Sequence, residues 1–294
     1  MPGTTLGRAG LASAAEVLDR VNRVLGPVEN AGDESVRPQV CKVLRVVTRS
    51  GESSFVKWYR DQVDYQREID ALTLYTPALG SDAPSLIDND EGLRMLLISE
   101  LAGAPAFGTP VEWDPLVHYK AGALIRRLHE SSAPAVSDQF ARQCAARFES
   151  VATHLEGVVS SGLLSEARLL IARAMDLSSL ALVPAHRDNH PRNWMVDPGG
   201  HVRLIDFGMA EYDPWIVDVF LLEQDYWRTD PQLRVAFLSG YDKNMTEQDD
   251  ILLRAHHAVS AVTAMAGALG GSSSKADKLK ARDMFDSMLG ITLF

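Results

Sequence analysis

The hydrophobic pattern changes character once along the chain. After one amphipathic helix, the first third alternates short apolar stretches with polar turns, which is typical of strands. Beyond residue 102, apolar residues mostly recur at the three- and four-residue spacing of helices. The predicted strands span 39–48, 53–59, 84–88 and 94–100, and the predicted helices span 12–25, 61–76, 113–130, 137–160, 163–177, 214–226, 231–241 and 247–269. The pattern therefore predicts an α+β, bilobal fold with a small β-rich N-terminal lobe, residues 1–101, and a larger helical lobe, residues 102–294.

Composition and charge narrow the classes of partner. A net charge of −10 argues against nucleic-acid binding, which depends on neutralising phosphates with Lys and Arg, although it would suit a cationic ligand. No apolar run approaches the roughly 20 residues that span a bilayer, so we expect no membrane association. Cys41 and Cys144 show neither metal-ligand spacing nor a disulfide framework. We expect a cytoplasmic protein.

The polar residues of chemical interest concentrate in residues 183–208, where short strands and turns interrupt the helical pattern. If Gly199-Gly200 forms a two-residue hairpin turn, Asn193 falls directly opposite Asp206. A carboxylate and an amide oxygen would then converge on one point, which suits Mg²⁺ shared with substrate phosphates. Asp188 lies in the loop that enters this hairpin, where it could orient an acceptor hydroxyl. These parts are the ones that phosphoryl transfer requires.

The sequence around these residues resembles a known family. His186-Arg187-Asp188, Asn193 and Asp206-Phe207-Gly208 resemble the catalytic loop and the metal-binding motif of the protein-kinase-like superfamily. The run from His186 to Asn193 is most similar to the aminoglycoside phosphotransferase family, with Arg187 where that family commonly has Gly. Further stretches that resemble this family are Ala121–His129, Asp213-Pro214 and Asp218.

The resemblance implies an ATP-dependent phosphotransferase, with GTP as an alternative donor and a hydroxyl of a small molecule as acceptor. The implied site residues are Asp188 as catalytic base, Asn193 and Asp206 as ligands of Mg²⁺, Lys57 at the nucleotide phosphates with Glu68 as its partner, and Ser99, Glu100 and Leu101 at the hinge that holds the adenine. His190 and Asp218 would support the catalytic loop. The favoured acceptor is an antibiotic, such as an aminoglycoside, a nucleoside or a peptide antibiotic, which phosphorylation would inactivate and so confer resistance.

Other functions fit part of the sequence. A metabolic kinase for choline, homoserine or a sugar amine would use the same machinery, and a pseudokinase would keep the fold without turnover. The joint presence of Lys57, Asp188, Asn193 and Asp206 speaks against the pseudokinase. A protein kinase is disfavoured because residues 26–42 contain no Gly-x-Gly-x-x-Gly; the nearest candidate for a loop over the phosphates is Asn30–Ser35. Unranked candidates for acceptor binding are Glu211, Asp213, Glu223 and Asp225.

Overall fold

The computed structural model describes residues 11–157, 159–177 and 179–269, and the chain divides into two compact units. The first unit comprises the residues up to 112 together with 191–211, and the second comprises 113–190 and the residues from 212 onward. The sequence predicts lobes separated by a single boundary, at residue 101. The first compact unit of the structure instead combines two stretches that are separate in the sequence. Within the described ranges no helix is both long and apolar enough to cross a membrane.

The first unit contains a five-stranded antiparallel sheet in the order β1-β2-β3-β5-β4. Its strands are β1 (Val28–Asp33), β2 (Cys41–Thr48), β3 (Ser53–Tyr59), β4 (Leu86–Asp90) and β5 (Met95–Ser99). Strands β2 to β5 lie where the sequence predicts them, with ends shifted by at most two residues. Strand β1 was not predicted; it is a largely exposed edge strand, so it carries no apolar alternation. The first part of the loop candidate Asn30–Ser35 belongs to this strand.

The alternation of side chains along β3 separates the core of the first unit from its chemistry. Val56 and Trp58 belong to the buried core cluster that helix α1 (Ala14–Leu25) completes with Val17 and Val21. Successive residues of a strand point to opposite faces. Lys57 therefore projects from the face opposite this core.

Helix α2 (Gln62–Asp70) follows β3 and buries Glu68. Asp61 caps the N-terminus of this helix, since its carboxylate accepts a hydrogen bond from the amide of Val63 at 2.7 Å. It continues as a π-helical turn, Ala71–Tyr75, and a 3₁₀ helix, Thr76–Asp82. The helix predicted over 61–76 is thus followed directly by a 3₁₀ helix, and Pro77 lies in its first turn, where the missing N–H of proline is tolerated.

The hairpin of residues 194–204 also belongs to the first unit. Its strands β9 (Trp194–Val196) and β10 (Val202–Leu204) form a three-stranded sheet with β6 (Ala104–Pro105) in the order β10-β9-β6. The loop has three residues, Pro198 to Gly200, since the amide of Asp197 donates to the carbonyl of His201 at 3.1 Å.

The predicted register of this hairpin is wrong by one residue. The amide of Gly200 donates to the carbonyl of Asp197 at 2.8 Å, and Gly200 adopts a positive φ of 72°. Pro198 occupies the first central position of this turn, which proline favours in type I turns. Gly200 occupies the left-handed position that follows the two central residues. As a result, Asn193 lies opposite Ile205, whose amide donates to the carbonyl of Asn193 at 3.0 Å, and not opposite Asp206.

The second unit is mainly helical. Its helices are α3 (Pro115–His129), α4 (Gln139–Ala152), α5 (Ser161–Met175), α6 (Phe220–Leu222), α7 (Pro231–Tyr241) and α8 (Glu247–Leu269). A small sheet has the order β11-β8-β7, with β7 (Ala135–Ser137), β8 (Leu180–Ala185) and β11 (Glu211–Asp213). The helix predicted over 214–226 is divided into a 3₁₀ helix (Trp215–Asp218), α6 and a π-helical turn (Glu223–Trp227), with Val219 between the first two at φ −105° and ψ −8°.

Helices α3 and α7 cross with their backbones in direct contact. A Cβ at Gly122 would collide with the carbonyl of Phe237, and one at Gly240 would collide with the carbonyl of Tyr119. Glycine permits this close approach because it has no side chain. The crossing therefore lies at residues 119–122 in the first half of α3 and at residues 237–241 near the end of α7.

Candidate active site

Three of the predicted site residues meet in the first unit. The Nζ atom of Lys57 lies 2.8 Å from Oε1 of Glu68 and 2.8 Å from Oδ1 of Asp206. Glu68 is buried, whereas the side chain of Asp206 is 52% exposed. Burial alone would lower the pKa of Lys57, but Asp206 and Glu68 outweigh it and raise this pKa, so the amine is a fixed cation.

The second oxygen of Glu68 is also engaged. It accepts a hydrogen bond from the hydroxyl of Tyr59, a buried residue at the end of β3. A Cβ on Gly208 would lie 3.3 Å from this same oxygen, so the glycine that follows Asp206-Phe207 leaves room for the carboxylate. Glu68 is therefore held at both oxygens, which fixes the direction in which it holds Lys57.

Asn193 and Asp206 flank the hairpin of residues 194–204. Asn193 is buried at the end of a 3₁₀ turn, Pro191–Asn193, and Asp206 adopts a positive φ of 65°. Such a φ is uncommon for residues other than glycine and is most often tolerated by Asn and Asp. One carboxylate and one amide oxygen are donors that Mg²⁺ accepts, since this ion takes few protein ligands and completes its shell with phosphates and water.

The predicted hinge lies at the end of β5. The amide of Ser99 donates to the carbonyl of Ser85 at 3.0 Å, and its hydroxyl accepts from the amide of Ser85 at 2.9 Å. Both carboxylate oxygens of Glu100 accept from the guanidinium of Arg45 at 2.8 Å. The side chain of Glu100 and the amide of Ser99 are thus used within the sheet, and contact of Ser99, Glu100 and Leu101 with a nucleotide base stays a prediction.

In the second unit, Asp218 anchors the loop that contains Asp188. Its Oδ1 accepts from the amide of Arg187 at 2.5 Å, and its Oδ2 accepts from the amide of His186 at 2.8 Å. Nε2 of His129 lies 2.8 Å from the same Oδ2. Burial would raise the pKa of Asp218, but the hydrogen bonds from His129 and the amide of His186 outweigh it and lower this pKa. The carboxylate is therefore ionised and fixes the backbone on the N-terminal side of Asp188.

Asp188 itself is partly exposed, with 36% of its side chain accessible. Its Oδ1 lies 3.3 Å from Nε2 of His190, and its amide donates to Nδ1 of His186 at 3.3 Å. His190 thus contacts Asp188 directly, which agrees with the supporting role that the resemblance implies for it. Asp188 is presented as an accessible carboxylate on a restrained loop, which is what a base acting on a bound hydroxyl requires.

Arg187 adopts a left-handed backbone conformation, with φ of 65°. This geometry accounts for the glycine that the aminoglycoside phosphotransferase family commonly has at the corresponding position, because glycine adopts it without strain. The guanidinium of Arg187 pairs with Oδ2 of Asp213 at 2.9 Å. Asp213, a candidate for acceptor binding from the sequence, therefore contacts the loop that contains Asp188.

Four residues of these networks were not predicted as site residues. His129 carries a weak signal, because it ends a helix whose sequence resembles the family, and Tyr59 lies two residues after Lys57 and so on the same face of β3. Asn189 donates from its amide side chain to the carbonyl of Asp218 at 2.7 Å. Tyr241 lies far from the motifs in the sequence and contacts His129.

The chain matches the phosphotransferase enzyme family (APH) over residues 42–252. Among solved structures, it is similar to macrolide 2′-phosphotransferase MphH from Brachybacterium faecium, with 12% identity, a TM-score of 0.66, and coverage of 92% of this chain and 97% of that chain. The aminoglycoside phosphotransferase from Alicyclobacillus acidocaldarius is 14% identical, with a TM-score of 0.65 and coverage of 97% of this chain and 94% of that chain. A thermostable mutant of aminoglycoside phosphotransferase APH(4)-Ia, crystallised with ADP and hygromycin B, is 14% identical, with a TM-score of 0.67 and coverage of 95% of this chain and 99% of that chain. No curated protein sequence matches.

At these identities the solved structures show the fold, and the predicted α+β, protein-kinase-like architecture is confirmed. The family match covers more than half of the chain, so the predicted enzyme class, a kinase-type phosphotransferase, is confirmed as well. From the motif residues, the fold and this match, the chain belongs to the phosphotransferase enzyme family.

Proposed function

We propose that this enzyme transfers the γ-phosphoryl group of ATP or GTP to a hydroxyl of an antibiotic-like small molecule. The observation that carries the proposal is the double contact of Lys57, 2.8 Å from both Glu68 and Asp206. A fixed cation of this kind suits contact with nucleotide phosphates. The antibiotic acceptors named for the structurally similar proteins support the choice of substrate class.

Each residue has a separate task in the proposed reaction. Lys57 would bind the nucleotide phosphates, oriented by Glu68. Asp206 and Asn193 would hold Mg²⁺, which when bound neutralises charge on the phosphates. Asp188 would accept a hydrogen bond from the acceptor hydroxyl and align it with the γ-phosphorus. It would take the hydroxyl proton as the new O–P bond forms and the bond from the γ-phosphorus to the bridging β–γ oxygen breaks, which releases ADP or GDP.

The acceptor we favour is cationic, because the chain carries a net charge of −10 and its acidic surface would raise the local concentration of such a ligand. Aminoglycosides meet this requirement. Cys41 and Cys144 are free thiols, which supports a reducing cytoplasm as the proposed compartment.

The test is nucleotide-coupled turnover with Mg-ATP and with Mg-GTP across aminoglycosides, hygromycin B, macrolides, nucleoside and peptide antibiotics, choline, homoserine and sugar amines. Asp188→Ala should lower kcat by about 10²- to 10⁴-fold, the usual contribution of a positioned base. Asp138→Ala, which removes an exposed acid paired with Arg142 in the same unit, should leave kcat unchanged.

Turnover with an antibiotic, lost in Asp188→Ala and kept in Asp138→Ala, would support the proposal, and the phosphorylated hydroxyl could then be located by NMR. Turnover with choline, homoserine or a sugar amine alone would replace the antibiotic by a metabolic acceptor. Nucleotide binding without turnover on any acceptor would refute catalysis of this kind.

A further inference from the structure

Tyr241 makes a buried contact with the network that anchors the catalytic loop. Its hydroxyl lies 2.8 Å from Nδ1 of His129, and the two rings meet edge to face with centroids 5.5 Å apart. Both side chains are buried, at 8% and 3% exposure. We propose that Tyr241 is a positioning residue for phosphoryl transfer, acting through His129 and Asp218 on the loop of Asp188. This inference rests on the proposed role of Asp188 as the catalytic base.

The chemistry of the contacts assigns the hydrogen-bond directions. An ionised carboxylate can only accept, so His129 must donate to Asp218 from Nε2. In the neutral form of His129 the ring carries its proton on Nε2, so Nδ1 has a lone pair and accepts. In this form the phenol of Tyr241 donates to Nδ1 at 2.8 Å, and burial raises the pKa of Tyr241, which keeps the phenol protonated. His129 is thereby fixed in tautomer and ring orientation by a contact at each nitrogen.

Tyr241 is itself held rigidly. Its ring stacks on Trp215 with centroids 4.9 Å apart and planes 19° apart. The indole N–H of Trp215 donates to Oδ1 of Asp249 at 2.6 Å. On the backbone side, Gly240 lies at the contact between α7 and α3, the helix that ends in His129. The stacking of Trp215 on the ring and the contact of Gly240 with α3 therefore fix the position of the Tyr241 hydroxyl beside His129.

Loss of the hydroxyl would leave Nδ1 of His129 buried with its donor removed. The ring would then be free to tilt, which weakens its bond to Asp218 and, through that carboxylate, the restraint on the amides of His186 and Arg187. Since the affected residues all belong to the second unit, whereas Lys57 belongs to the first, the effect should fall on kcat and not on the KM for nucleotide.

Tyr241→Phe keeps the stacked ring and removes only the hydroxyl. We expect kcat to fall about 3- to 10-fold, the size that removal of one buried hydrogen bond produces, with the KM for ATP unchanged. The matched control is Tyr212→Phe, which removes a hydroxyl that donates to Oγ of Ser132 at 2.7 Å in the same unit and should leave kcat unchanged. In a His129→Gln background, Tyr241→Phe should have no further effect, because coupled positions are not additive.

Equal losses of kcat from Tyr241→Phe in both backgrounds, or no loss in either, would overturn the inference. A readout besides activity is the ¹⁵N NMR spectrum of the histidine rings, with the signals of His129 assigned by their absence in His129→Gln. The wild-type enzyme should show a protonated Nε2 and an Nδ1 signal that shifts in Tyr241→Phe and not in Tyr212→Phe. If no acceptor is turned over, the proposed function fails, and an Nδ1 signal insensitive to Tyr241→Phe would separately refute the contact.

Discussion

Replacing Asp218 by asparagine removes one negative charge and keeps the shape of a fully buried side chain. The carboxylate accepts from the backbone amides of Arg187 and His186, at 2.5 and 2.8 Å, and from Nε2 of His129 at 2.8 Å. An asparagine has one acceptor oxygen, and its NH₂ group would face at least one of these three donors. The substitution therefore breaks at least one charge-assisted hydrogen bond and weakens the others.

The magnitude follows from these contacts. A hydrogen bond to a charged group contributes about 1.5–3 kcal/mol, and a buried donor left without a partner costs about 1–3 kcal/mol. We expect Asp218→Asn to lower the free energy of unfolding by about 3–5 kcal/mol, a large part of the roughly 5–15 kcal/mol typical of a folded protein. Because the loop of Asp188 loses its anchor, kcat should fall as well.

The pH dependence gives the prediction a sign. The pKa of Asp218 is lowered in the folded state, so its contribution to stability is fully present above the ordinary aspartate pKa of about 3.9 and is lost as pH falls through the folded value. The difference in stability between wild type and Asp218→Asn should therefore be constant near neutral pH and should shrink in strong acid.

Urea denaturation at several pH values, together with kcat at neutral pH, would measure both effects. Glu149→Gln is a suitable control, because Glu149 of helix α4 accepts from the guanidinium of Arg168 at 2.8 and 3.0 Å in the same unit and belongs to none of the networks described above. It should leave kcat unchanged. A loss of less than about 1 kcal/mol in Asp218→Asn, the value of one ordinary hydrogen bond, would refute the reasoning.

Two further predictions concern the catalytic loop and the first unit. Arg187→Ala and Arg187→Gly both lose the pair with Asp213, but only glycine adopts the left-handed conformation without strain. We expect the free energy of unfolding of the Gly variant to exceed that of the Ala variant by about 1 kcal/mol, so that its melting temperature is higher. Equal melting temperatures would contradict this. Glu68→Gln removes the charge that Lys57 faces at 2.8 Å. It should weaken ATP binding, measured by isothermal titration calorimetry, about 10-fold or more, because one charge-assisted contact is lost. An unchanged affinity would exclude Glu68 from orienting Lys57.

The sequence could predict the parts that depend on local pattern. Strand β3 alternates core residues such as Val56 and Trp58 with Lys57, and its bounds are those expected from the pattern. The resemblance to the family implies the pairing of Lys57 with Glu68, which lie 2.8 Å apart in the structure. These signals lie within a dozen residues of each other, so no long-range contact had to be known.

Turn chemistry was the first limit of the prediction. Gly199-Gly200 favours a two-residue turn when taken alone, but Pro198 and the Asp197 side chain, which accepts from the amides of Gly199 and His201 at 2.9 and 3.0 Å, favour the longer loop. One residue of difference moved Asn193 from opposite Asp206 to opposite Ile205. Register depends on this competition, which a preference for one dipeptide does not resolve.

Long-range contacts were the second limit. His129 and Tyr241 lie more than one hundred positions apart, and their hydrogen bond depends on the crossing of α3 and α7 at Gly122 and Gly240. Neither glycine stands in a turn, and the stretch Ala121–His129 that resembles the family does not mark Gly122 as a contact between helices. Only the packed structure reveals that these two positions admit no side chain.

The composition of the first unit from two separate stretches has a consequence for biosynthesis. A nascent chain that has emerged only as far as residue 112 has β6 but not its partner β9, and it has Lys57 and Glu68 but not Asp206. The unit can therefore reach its final set of contacts only after residue 211 has left the ribosome, when the helices α3, α4 and α5 have all been synthesised. Truncated products that end before this point should expose the edge of β6 and be recognised by chaperones or proteases, whatever the intrinsic stability of the sheet.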